Sequence, residues 1–208
     1  MTTRTEEATK NPIETVGTAE FSAMLVERFG DLRDRVRNLD SDVAEGHMRA
    51  LRNDLDLRTN WRAKQSPMEL LEGLADRGFS WTNIARLLGV STSGIRKWRR
   101  GEDISGPSRR SLSKLAAFSD MLEESFGIAD IASWMEMPLA EPYEVSGIDV
   151  YADHSHGWEV LTQMVIWPVD PTSLLDQDAP GWRDTYAPSG FTVTHDEQGR
   201  PTITQKVT

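Results

Sequence analysis

The stretch WTNIARLLGVSTSGIRKWRR, residues 81–100, decides the fold. Just before it, Ser80 can cap a helix whose apolar face is Ile84, Ala85, Leu87 and Leu88. Gly89 falls where the chain must turn with a positive φ, which glycine accepts without steric cost. Ser91 caps the next helix, Ile95 and Trp98 face inward three residues apart, and Gly101 stops it. Ala85 lies where the two helices cross, and a small side chain is needed there. A preceding helix opens at Pro67, a favourable first position, carries Met68, Leu70, Leu71 and Leu74, and ends at Gly78. A cap, a turn glycine, a small residue and inward apolar positions agree on a helix-turn-helix. The plainer alternative is the same unit used only for packing.

With Ile95 and Trp98 turned inward, Ser91, Thr92, Ser93, Arg96 and Lys97 remain on the outer face. A recognition helix presents such residues to base edges in the major groove. Arg96 can pair two-pronged with guanine O6 and N7, while Thr92 and Ser93 reach bases or phosphates. Arg99, Arg100, Arg109 and Arg110 are placed for phosphates, which anchor register without reading sequence. Pro107 and Ser108 start a further helix whose first amides can also meet a phosphate. Each arginine alone reads as a solvated charge; the clustering of six basic residues between positions 96 and 110 argues otherwise. Trp98 reads as core, not as a stacking platform.

Charge is distributed unevenly along the 208 residues, whose formal net charge is -10. Residues 1–60 hold 12 acidic and 9 basic side chains, residues 61–118 hold 5 and 11, and residues 119–208 hold 16 and 3. The acidic total argues against a nucleic-acid partner, but the central segment is basic by 6. The acidic C-terminal segment serves solubility or faces a basic partner. Hydrophobic residues make up 38% and charged residues 27%, a globular composition. Cysteine is absent, which removes disulfides and thiolate sites and suits a reducing, cytoplasmic setting. No apolar run approaches the ~20 residues of a membrane span, and residues 1–12 lack the apolar core of a signal peptide.

Around the centre, the sequence predicts a mainly α fold. Residues 1–16 read as a mobile tail. Residues 17–60 read as a helical pair. Phe21, Leu25, Leu32, Val36 and Leu39 line the first helix, and Ser41 caps a second that carries Val43, Met48, Leu51 and Leu55. The pair either covers the rest of the fold or serves as a dimerisation element. Residues 61–126 form the helix-turn-helix domain and residues 127–208 an acidic partner-binding region. Within that region residues 128–139 read as a short helix, 140–157 as loop, 158–167 as a helix, and 174–186 as irregular or briefly helical. The alternation of Phe191, Val193 and His195, the turn chemistry of residues 196–199, and Thr202-Ile203-Thr204 predict a terminal β-hairpin. The C-terminal region is thus expected to be small and α+β.

The run from Phe79 through FSWTNIARLLGVSTSGIRKWRRGE, then RRSLSKLAAFSDMLEESFGIADIASWMEMPL, resembles the Xre-type antitoxins. These are helix-turn-helix proteins whose C-terminal part is a ParS/MbcA-like toxin-binding domain. The order of parts carries the resemblance: the helix-turn-helix, a Leu/Ala-rich helix, Ala132-Ser133-Trp134 with Pro138-Leu139, then Gly147, Ile148, Val150 and residues 158–165. The resemblance implies a RES-type toxin as partner, with this chain as its neutraliser and operon repressor, acting on double-stranded DNA. Two recognition helices reaching two half-sites imply a homodimer. A regulator without a toxin, or a phage-type DNA packaging adaptor forming a ring through residues 20–57, is the other reading.

No catalytic constellation stands out. His154-Ser155-His156 with Asp153 has metal-binding chemistry but reads as a surface loop. No nucleophile elbow, phosphate-cradling loop or dinucleotide glycine pattern occurs. The expectation is a non-enzyme with no cofactor and no metal.

Overall fold

The computed structural model describes residues 18–188, 191–195 and 201–205, and the chain divides into two units, Met1–Arg49 and Ala50–Thr208. The protein is mainly helical. α1 (Thr18–Arg62) is one continuous helix, so the expected pair of N-terminal helices is corrected to a single element. Ser41 has the chemistry of a cap, but residues 39–42 contain neither proline nor glycine to interrupt the helix. Serine and aspartate inside a helix cost only a fraction of a kcal/mol each, about 0.5. In the first unit, Arg49 and Glu45 pair one turn apart at 2.7 Å, and Val43 is exposed. The expected tail, residues 1–16, lies outside the described residues.

The second unit is organised around α5 (Gly106–Phe126), which follows α2 (Pro67–Asp76), α3 (Trp81–Leu87) and α4 (Thr92–Arg99). Residues 115–122 of α5 are buried on every face. A helix buried all round must be surrounded by other elements. Its two buried hydroxyls are satisfied internally, with Ser113 donating to Arg109 O at 2.9 Å and Ser119 to Leu115 O at 3.0 Å. One face meets α2, whose Leu70, Leu71 and Leu74 are buried. Gly127 ends α5 in the left-handed region at φ 71°, and its N–H reaches back to Glu123 O.

Asp120, 4% exposed, is the one carboxylate among the buried residues of the described chain. Arg62, at the end of α1, donates to both its oxygens, Nη2 at 2.5 Å and Nε at 2.7 Å, and Arg77, just after α2, donates at 2.9 Å. Arg77 also donates to Glu123 at 3.0 Å, and Arg58 pairs with Glu124 at 2.5 Å. Arg52 forks onto Glu159 at 2.9 Å. These pairs and the buried Leu55 and Thr59 fasten residues 50–62 to the domain.

C-terminal to α5 come α6 (Ile131–Glu136), α7 (Gly147–Asp153), α8 (Gly157–Ile166), α9 (Pro171–Asp178) and α10 (Trp182–Thr185). The loop expected over residues 140–157 contains α7. Its signal is the capping box in which Ser146 Oγ accepts from Asp149 N and Asp149 accepts from Ser146 N. Gly147 and Gly157 are close-approach positions. A Cβ would stand 3.1 Å from Met135 O at the first and 2.0 Å from Val150 O at the second. The segment expected to be irregular resolves into α9, capped by Asp170 and opened by Pro171, and α10. The backbones of β1 (Phe191–His195) and β2 (Pro201–Gln205) run antiparallel with Val193 opposite Ile203. The turn expected at residues 196–199 lies outside the described residues. Among the described residues, no helix is long and apolar enough to cross a membrane.

Replacing Asp120 by alanine leaves two partly buried guanidinium groups without their shared acceptor. The expected loss is on the order of 3 kcal/mol, read as a lower urea midpoint with unchanged m-value. A loss below ~1 kcal/mol, the range of an exposed pair, contradicts this.

Candidate nucleic-acid interface

The α3–α4 pair is built from local rules. Ser80 Oγ accepts from Asn83 N at 3.1 Å and Ser91 Oγ accepts from Gly94 N at 3.1 Å, so each helix starts on a satisfied cap. Gly89 takes φ 62° between them. Ile84, Ala85 and Leu87 of α3 and Ile95 and Trp98 of α4 are buried, and Leu88 and Val90 pack partly against them.

This packing fixes which way α4 faces. Ser91, Thr92, Ser93, Arg96, Lys97, Arg99 and Arg100 are all exposed. Thr92 with Arg96, and Ser93 with Lys97, are one helical turn apart and form a polar strip. The side chains of Arg96 and Lys97 form no ion pair or hydrogen bond among the described residues, so both heads are available to a ligand. Ser91 is less free: its hydroxyl serves as the cap and lies 2.8 Å from Ser93 Oγ.

The four arginines expected to meet phosphate behave differently from one another. Arg99 stacks on the ring of Trp81, the first residue of α3, at 4.1 Å. Stacking on an aromatic face holds a guanidinium while leaving its N–H edge available. Arg100 pairs with Glu102 at 2.7 Å, both partners exposed, an arrangement a phosphate can displace cheaply. Arg110 is exposed and unpaired among the described residues. Arg109 is held within the fold. Its guanidinium donates to Ala63 O at 3.0 Å and to Gln65 O at 2.8 Å, bracing the turn after α1. Those carbonyls have no helical partner, and charge alone does not distinguish a cation facing solvent from one facing a helix end.

On its other side, α3 is tied to the C-terminal region. Arg86 donates to Asp153 at 2.6 Å and Asp149 at 3.3 Å, and Tyr186 donates its hydroxyl to the same Asp153 at 2.6 Å. Burial, helped by the bond to Asp153, pushes the Tyr186 phenol above its ordinary pKa. Asn83 donates to Glu136 of α6. The acidic region therefore neutralises the back of α3 and leaves α4 basic. Residue spacing did not reveal these contacts, since all of them join distant parts of the chain. Among the described residues no group of acidic or histidine side chains is arranged to hold a metal ion. No protein-family model, curated protein or solved structure matches this chain.

Arg109→Ala and Arg110→Ala should separate cleanly in thermal unfolding. The first loses hydrogen bonds to partly buried carbonyls and is expected to cost about 1.5–3 kcal/mol. The second should stay within ~0.5 kcal/mol of wild type. Equal stabilities would show that Arg109 is no brace.

Proposed function

We propose that this protein is a helix-turn-helix DNA-binding regulator that reads the major groove with α4. The observation that carries the reading is the division of α4 itself. Ile95 and Trp98 are buried, and the opposite strip presents Thr92, Ser93 and two unpaired cations, Arg96 and Lys97. In this reading Arg96 addresses a base edge, and Arg99, Arg100 and Arg110 address phosphates. Arg109 positions the start of α5 and touches no DNA. Repression follows if the operator overlaps a promoter, and two half-sites about one DNA turn apart call for a dimer.

The antitoxin function belongs to the same proposal and rests on the order of parts and on the charge map. The acidic C-terminal region offers a surface for a basic partner such as a RES-type toxin. A ring-forming packaging adaptor is distinguished by a large oligomer in sedimentation.

Fluorescence anisotropy with a randomised duplex and a selected sequence, across a salt series, tests the DNA reading. Arg96→Ala should lose about 1–3 kcal/mol of discrimination at one base pair and little non-specific affinity. Arg110→Ala should weaken all sequences alike and reduce the salt slope by about one. A salt-independent affinity, or an Arg96→Ala variant with full discrimination, would contradict the proposal.

A further inference from the structure

Away from α4, a cavity of about 130 Å³ opens between α5, the α7–α8 corner and the end of α3. A water needs only about 10–15 Å³ of such space, so the cavity holds more than one. Its chemistry is asymmetric. Lys114 enters from α5, half-buried, with Nζ 5.4 Å from the Trp158 ring centroid and no ion pair among the described residues. Burial lowers its pKa, so the site gains by supplying a counter-anion. His154 also lines the cavity, and its Nε2 is closed to solvent and without a hydrogen-bond partner among the described residues. A buried polar atom left unsatisfied costs free energy, and a turn of the ring that brings Nε2 to a bound carboxylate removes that cost.

Two further features set the ligand's sign and size. The cavity is lined by Gly157 and Trp158, the first two residues of α8, whose N-cap His156 makes no side-chain cap bond. A helix start favours a negative group. Asp56 and Glu159 lie within electrostatic reach of Lys114, and Glu159 is already held by Arg52 at 2.9 Å. One ammonium beside two carboxylates suits a single negative charge better than a double one. Trp158 and Leu87 supply an apolar wall for a short carbon body.

We propose that this cavity binds a small organic monocarboxylate, with Lys114 and His154 holding the carboxylate and Trp158 and Leu87 flanking its carbon chain. Because Leu87 is the last residue of α3, occupancy there bears on the α3–α4 pair. That consequence rests on the DNA-binding reading, whereas ligand binding does not.

Titration of the full chain with propionate, without DNA and at constant ionic strength, tests it by NMR. The His154 imidazole and Trp158 indole resonances should move saturably with propionate, less with inorganic phosphate and not with chloride. Lys114→Met keeps the stem against Trp158 and should weaken propionate binding about tenfold with little change in melting temperature. His154→Phe removes the imidazole and should weaken it as well, which covers the case in which the Lys114 variant folds poorly. No saturable shift, an equal response to phosphate, or unaltered affinity in both variants would overturn the proposal.

Discussion

The carboxylate of Asp120, placed in the most buried stretch of α5, receives Arg62 from the end of α1 and Arg77 from the end of α2. An ionised side chain in that setting is tolerated only when paired and hydrogen-bonded. Three elements distant in sequence must therefore arrive together at one pair of oxygens. Once they do, α2 lies on α5, the turn after α1 is close enough for Arg109 to brace it, and α3 and α4 have a fixed floor. Burying an ion pair is no efficient way to gain stability, since an apolar replacement often serves as well. Its worth here lies in geometry: the fork of each arginine admits few orientations.

On that floor, the direction of α4 follows from two side chains. Ile95 and Trp98 fill the core, and the remaining faces of so short a helix must be solvated. What is unusual is how the charges are used. Arg86, Arg77, Arg62 and Arg52 are all committed to carboxylates, while Arg96, Lys97 and Arg110 are not. The acidic C-terminal region supplies some of those carboxylates itself, through Asp149, Asp153 and Glu159. Its negative charge is partly internal bracing, and the net charge of -10 describes neither surface.

Much of the α3–α4 pair was legible in the sequence because its determinants are local. A hydroxyl caps amides two or three residues on, and a glycine adopts a positive φ on its own account, so Ser80, Gly89 and Ser91 can be read directly. The same locality misleads elsewhere. Ser41 has cap chemistry inside an uninterrupted helix, and Gly147 looks like loop although the box of Ser146 and Asp149 opens α7. Arg109 and Arg110 are adjacent and chemically identical, yet only one faces carbonyl groups. That difference is tertiary, as are the meeting of Arg62, Arg77 and Asp120 and the cavity around Lys114. An acid within the apolar run LAAFSDML was the available hint of the first.

In the proposed function, α4 enters the major groove with Arg96 at a base edge. Guanine N7 lies in that groove, so methylation protection on a duplex selected by the wild-type protein reports on it directly. Protected guanines are expected in the bound site, with protection at one position lost in Arg96→Ala and retained in Arg110→Ala. Binding that leaves every guanine N7 open to methylation, or protection indifferent to Arg96, would contradict it.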